Sequence, residues 1–238
     1  MSRRGLIAAA ALTALAASRG WSKTPQPAPA TEAPTRAPLR TRFAGRFTGD
    51  FDAMLDRRLI RVVAPYSLTL FFVDKGAIYG TAANGAQLFE DWINKTFKLR
   101  ARPLTVPLTP VSRDKLFDTV LAGDGDIAAG DITITEELSK KVAFSTPFIR
   151  NVREIVITGK DVPELDSPEA LSGKEVAVAR STSYYESLTK LNERLAAQGK
   201  PPVAITIVPD TLEVADLMDM TAAGLLPATV GDDWVAGL

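Results

Sequence analysis

From residue 59 onward, short apolar runs bounded by turn residues alternate with segments whose apolar residues recur at helical spacing. Few folds accept that order. Strands that alternate with helices along a chain pair in parallel, and the helices cover the sheet. Residues 59–64 read as a buried strand ending at Pro65. Residues 86–97 read as a helix, with Leu88/Trp92 and Phe89/Ile93 four apart. Residues 104–108 give a second strand. Ser112 then caps a helix whose apolar face is Leu116, Phe117, Val120 and Leu121, with Gly123 as its stop. Residues 126–129 and 154–158 complete the strands of this half.

A second unit repeats the grammar. Ser167-Pro168-Glu169 starts a short helix with proline at its first position. Residues 174–179 form a strand, and Ser183-Tyr184-Tyr185-Glu186 has the form of a capping box. Tyr184, Leu188, Leu191 and Leu195 share one helix face, and Gly199 ends it. Residues 203–208 and 227–230 are further strands, with a helix opened by Asp210 to Glu213 between them. Two βαβ units thus lie in series, joined near residues 150–160.

In such sheets ligands bind outside the carboxyl ends of the parallel strands. The candidate site is therefore residues 65–72, 130–135, 180–183 and 231–233. Ser181, Thr182 and Ser183 fall at a helix N-terminus, where free N–H groups and the helix dipole favour an anion. Of Asp232 and Asp233, one is expected in solvent and the other facing a cationic group. Phe71, Phe72 and Tyr79 read as core aromatics that could also stack a ligand. Asp124-Gly125-Asp126 lacks the further ligands and closing glutamate of a calcium loop, so no metal is expected there.

Composition removes several functions. Basic and acidic residues number 28 each, so nothing favours nucleic acid. The chain has no histidine, which excludes imidazole triads and most zinc sites, and no cysteine, which excludes disulfides, thiolate chemistry and Fe–S ligation. No cofactor is expected. At the start, Arg3 and Arg4 precede an apolar run over residues 5–17 and then Ser18-Arg19-Gly20. That is a signal peptide over residues 1–22, of the secretory or twin-arginine type. A linker rich in Pro and Ala follows over residues 23–49. Contact with the membrane is expected only through the signal segment if it is retained.

The run Gly125-Asp126-Ile127-Ala128-Ala129-Gly130-Asp131-Ile132-Thr133-Ile134-Thr135, followed by Phe144-Ser145-Thr146-Pro147-Phe148, resembles the first-lobe signature of extracellular solute-binding proteins of family 3. Arg61 to Ser67, Phe71 to Gly76, Val152 to Gly159, Leu171 to Val176, Ser181 to Leu188 and Gly224 to Val230 are similar to the solute-binding-like N-terminal domain of membrane-bound lytic transglycosylases F. The resemblance implies an α/β, two-lobed periplasmic-binding-protein-like fold of type II, with lobe 1 over residues 50–153 and lobe 2, incomplete, over 154–238. It implies that Phe71 stacks a ligand, that Thr133 holds it by a hydroxyl, that Ser181 and Thr182 meet an anion, and that Asp232 meets an α-amino group.

Two departures follow. The family places an arginine soon after the threonine to clamp an α-carboxylate, and Leu138 stands there. The return of the chain to lobe 1 is missing by residue 238, which is expected to leave apolar surface open on the helices at residues 86–97 and 112–121 or on the sheet between them. The function implied is that of a non-enzymatic periplasmic solute-binding or sensor domain. It would close on a small ligand, either a cell-wall-derived muropeptide or an amino-acid-like compound, with peptidoglycan or a cell-wall enzyme as a further partner. The alternative is the regulatory portion of a peptidoglycan lytic transglycosylase whose catalytic domain is absent from this chain.

Overall fold

A computed structural model of the chain describes residues 45–160, 162 and 165–237. The signal-like segment and linker residues 23–44 lie outside them. The chain is already docked at Gly45, ahead of the start at residue 50 read from the sequence. Its carbonyl accepts a bond from Arg61 Nη1 at 2.7 Å, and the Phe47 N–H donates to Gly123 O at 2.8 Å. The Arg57 guanidinium lies over the Phe47 ring at 3.6 Å.

Lobe 1 is built around β1 (Val62–Pro65), flanked by β4 (Leu108–Val111) and β5 (Ile127–Ala128) in a parallel sheet of order β4-β1-β5. All four residues of β1 are buried, as a central strand covered on both faces requires. A hairpin of β2 (Phe72–Asp74) and β3 (Ala77–Tyr79) leads into α2 (Thr81–Thr96). Ile60, Val62, Ala86, Ile93, Leu104 and Val106 form the core beneath that helix. α2 turns Phe89 and Ile93 inward. Leu88 and Trp92, expected on the same footing, are 69% and 55% exposed. The opening helix α1 (Phe51–Arg57) is capped by Asp50, α3 (Leu116–Leu121) follows one 3₁₀ turn at Arg113–Lys115, and the one-turn α4 (Glu136–Ser139) follows β5.

The sheet of lobe 2 has the order β6-β9-β7-β8. It comprises β6 (Glu154–Thr158), β7 (Glu175–Ala179), β8 (Ala204–Val208) and β9 (Ala228–Asp232). It is not all parallel as expected: β6 runs antiparallel to β9. No strand–helix–strand crossover joins those two, and only that connection forces parallel pairing. Alternation along β7 sorts the core. Val176 and Val178 face Leu188, Leu191 and Leu195 of α5 (Ser183–Ala197), while Ala177 and Ala179 face Leu217 of α6 (Val214–Ala222).

Both lobes use the same helix-to-strand clamp. Asn94 on α2 bonds the N–H and C=O of Leu104 at 2.8 and 2.9 Å. Asn192 on α5 bonds the N–H and C=O of Val203 at 2.6 and 3.1 Å. Val203 is buried, so Asn192→Ala strands two backbone polar groups away from water. It is expected to cost about 1–3 kcal/mol, read as a lower midpoint in urea with an unchanged slope.

Candidate functional site

The strand ends converge as parallel-sheet geometry dictates. Segments after β4 and β5 in lobe 1 meet segments after β7 and β8 in lobe 2, and they enclose a cleft of about 120 Å³. A cleft of that size admits several waters, or an amino-acid-sized group in their place. Its lobe 1 wall includes Arg113, Asp131, Thr133 and Leu138, and its lobe 2 wall includes Ser181, Thr182, Tyr184 and Glu213.

Across the cleft runs an ion pair that no local pattern announces. Arg113 stands in the 3₁₀ turn of lobe 1, and Glu213 is the N-cap of α6 in lobe 2. Arg113 Nε donates to both Glu213 oxygens, at 3.1 and 2.9 Å, and Nη2 donates to Oε2 as well. Nη2 also donates to Gly130 O at 3.2 Å, and the Arg113 N–H reaches Asp210 O at 3.3 Å. Both charged side chains are almost wholly covered. Burial pushes the Glu213 carboxyl up from its ordinary range, and the Arg113 guanidinium only partly offsets this.

The candidate residues divide. Thr133, Ser181 and Thr182 line the cleft. The Ser181 N–H donates to Asp210 Oδ1 at 3.2 Å, and its hydroxyl donates to the same oxygen. Thr182, not Ser183, is the N-cap of α5, and no capping box forms there. The Thr182 hydroxyl turns back to Ala179 O at 2.7 Å, so no side chain caps the first-turn N–H groups, which face the cleft. Leu138 presents an apolar wall.

Phe71 stands apart from the cleft wall. It is 5% exposed, it packs edge-on against Tyr66, and it lies outside the residues that line the cleft. The adjoining β2 carries Phe72 into a stack on Tyr79, so this hairpin spends its aromatic surface on itself.

Asp232 also lies off the wall, 4% exposed. It ends β9 two residues after Val230, which does line the cleft, so both side chains leave the same face of the sheet. Burial raises its carboxyl above the usual range, the Glu154 charge opposite it adds to the effect, and donation from Tyr184 and Trp234 opposes it. Asp232 Oδ1 has no hydrogen-bond partner. Tyr184, one of the groups that act on it, lines the cleft. Asp233 is the solvent-side member of the pair, bridged to Arg153 at 3.0 Å.

Asp131, within the segment 130–135 placed at the cleft but not singled out there, also lines its wall. It follows Gly130, whose φ of +141° and close approach to Pro65 leave no room for a side chain: a Cβ would meet Pro65 Cδ at 2.7 Å. Asp131 itself sits at φ 44°, a left-handed conformation that Asp tolerates better than most residues. Its carboxylate is open to solvent within the cleft yet walled by protein. That crowding raises its proton affinity, and the Arg113 charge lowers it in part.

Residues 64–213 match the family described as bacterial extracellular solute-binding proteins, family 3. The chain belongs to that family. Among curated family relatives, "Probable ABC transporter extracellular-binding protein YckB" of Bacillus subtilis is 31% identical over 87 residues, which is 37% of this chain and 30% of YckB. The membrane-bound lytic murein transglycosylase F of Pseudomonas putida is 27% identical over 179 residues, 73% of this chain and 33% of that protein. The chain thus spans a third or less of the curated relatives it matches. Among solved structures, the amino acid ABC transporter substrate-binding protein AbpA of Streptococcus pneumoniae, bound to L-arginine, superposes with a TM-score of 0.61 at 20% identity. That match covers 79% of this chain and 73% of AbpA. The fold of this family 3 chain is therefore the α/β type II periplasmic-binding-protein fold.

Proposed function

We propose that this chain is an exported, non-enzymatic binding protein that closes its two lobes on a small amino-acid-like ligand. The observation that carries the reading is the cleft itself. Hydroxyls, uncapped helix N–H groups and carboxylates from both lobes face one space at the carboxyl ends of the strands. A ligand carboxylate fits at the N-terminus of α5, where N–H groups are unpaired and the helix dipole favours an anion. Thr133, Ser181 and Thr182 supply hydroxyls around it. An amino group fits toward Asp232, whose free oxygen needs a donor. With Leu138 on the wall, that helix terminus takes the part a second arginine would otherwise play. The export signal over residues 1–22 accords with a family described as extracellular.

Calorimetry of the purified chain against the standard amino acids is the test. Binding at micromolar level by one or a few is the expected outcome. Thr133→Ala and Ser181→Ala should each weaken it about fivefold, the worth of one ordinary hydrogen bond. Absence of heat with every amino acid would overturn the reading.

A second reading rests on the matches to lytic transglycosylase F, which favour a muropeptide as ligand and a regulatory role beside a cell-wall enzyme. Muropeptides in the same titrations separate the two: binding of a stem peptide in preference to free amino acids decides for the second.

A further inference from the structure

We propose that the end of lobe 1 opposite the cleft docks on an anionic lipid bilayer, over and above any contact through the signal segment and independently of what the cleft holds. Aromatic side chains supply the apolar part. Phe89 stacks on Trp92 with ring centroids 6.2 Å apart, Trp92 meets Phe97 edge-on at 6.5 Å, and Phe97 meets Phe51 of α1 edge-on at 5.6 Å. This ladder crosses from α2 to α1 without sinking into the core: Trp92, Phe97 and Phe51 are 55%, 40% and 39% exposed. Leu88, one turn before Trp92, is more open still. A contiguous apolar patch of this kind marks an interaction surface.

Charge selects the occupant. Lys95, Lys98, Arg100 and Arg102 fall within eight residues around the end of α2, all exposed and with no acid between them. Among the described residues none of the four has a carboxylate partner, whereas Arg46, Lys115, Lys140, Arg153 and Arg194 elsewhere on the surface do. The helix dipole accounts for Lys95 in the last turn of α2, but not for the two arginines beyond its end. Asp50, Asp52, Asp56 and Asp91 are the exposed acids along α1 and α2. The linker tips the balance, since residues 23–44 carry Lys23, Arg36, Arg40 and Arg42 against Glu32. A net positive end with tryptophan, phenylalanine and leucine at its centre suits a headgroup layer, where rings enter and basic side chains reach the phosphates.

The pieces lie at one end of the sheet. The parallel strands of lobe 1 point toward the cleft, so the residues that lead into them lie at the far end. Thr105, just past the basic stretch, is bridged to Leu59, just before β1. The linker arrives there too: Gly45 is held by Arg61, the residue before β1, and Phe47 by Gly123, ahead of β5. A bilayer at this end meets linker, basic loop and rings together and leaves the cleft open on the opposite side.

The emission of Trp92 tests this on the full chain. With Trp21→Phe and Trp234→Phe, Trp92 is the one tryptophan left of three. Phosphatidylcholine vesicles with about one-third phosphatidylglycerol, brominated in the acyl chains, should quench it, and added salt should reverse the effect. The half-saturating lipid concentration should rise about 100-fold in Lys98→Ala/Arg100→Ala/Arg102→Ala, at about fivefold per basic residue. Equal quenching by phosphatidylcholine alone, or an unchanged midpoint in the triple variant, overturns the proposal. So does a chain that sediments with the vesicles while Trp92 stays unquenched, since the signal segment then binds alone. Shielding of Trp92 from iodide that grows with protein concentration in the absence of lipid would assign the face to a second copy and also overturn it.

Discussion

Replacing Arg113 by alanine is expected to open the cleft and to cost the closed form about 3–5 kcal/mol, the usual result of removing one partner from a buried ion pair. Glu213 would be left charged and covered, with Asp131 and Asp216 adding repulsion. Parting the lobes is the cheapest relief, since it returns the carboxylate to water. The radius of gyration from small-angle scattering should therefore rise while each lobe keeps its helix content. Arg113→Ala/Glu213→Gln should be milder than Arg113→Ala alone, because no charge is then buried. Scattering and melting indistinguishable from the parent chain would show that the pair does not hold the lobes together.

Asp126→Ala is expected to be as damaging, at about 3–5 kcal/mol of a total that in such domains is about 5–15 kcal/mol. The Asp126 carboxylate accepts from the Arg61 N–H at 2.7 Å, from Arg61 Nε at 3.2 Å, from Arg61 Nη2 at 2.9 Å, and from Arg57. Arg61 is 5% exposed, so the variant strands a buried guanidinium. The pH dependence has a definite sign. Burial alone would raise the Asp126 carboxyl, but the bonds from Arg61 and the charges of Arg57 and Arg61 outweigh it, and the net shift is downward from 3.8. Its contribution is present above the unfolded value and is lost as pH falls through the lower folded one. Glu213, Asp131 and Asp232 shift the other way. Their charged forms burden the fold at neutral pH, and that burden lifts as pH drops toward the ordinary carboxylate range. The melting temperature should rise slightly on mild acidification and then fall steeply. In Asp126→Ala the steep acid limb should be largely absent.

Much of the fold was legible because the patterns were local. Residues 154–158 were read as a strand of the first half; the bounds are those of β6, but it pairs with β9 in the lobe 2 sheet, while the face of Leu188, Leu191 and Leu195 packs as its spacing implies. The strand placed at residues 104–108 was displaced. Leu104 and Val106 are buried, but that stretch makes only an isolated parallel bridge, Thr105 to Leu59, and the regular ladder with β1 runs over Leu108–Val111. That the segments 130–135 and 180–183, which carry Thr133, Ser181 and Thr182, reach the cleft was legible from strand-end logic. Arg113 was not: its partner lies 100 residues away, and an arginine after a helix cap reads as surface. Asp126 looked like half of a weak calcium loop, because the arginines that claim it come from the segment around β1, more than 60 residues earlier.

The Arg113–Glu213 pair also sets a clock. While it is made, a ligand in bulk solvent meets a cleft whose two walls are already tied, and capture must wait for the tie to break. Association would then follow gated kinetics. Its rate would climb with ligand concentration at first and level off at the opening rate of the lobes. Release would obey the same gate, so a ligand of modest affinity could still be held for long dwell times. Such a protein would meter its cargo by the rhythm of one buried ion pair.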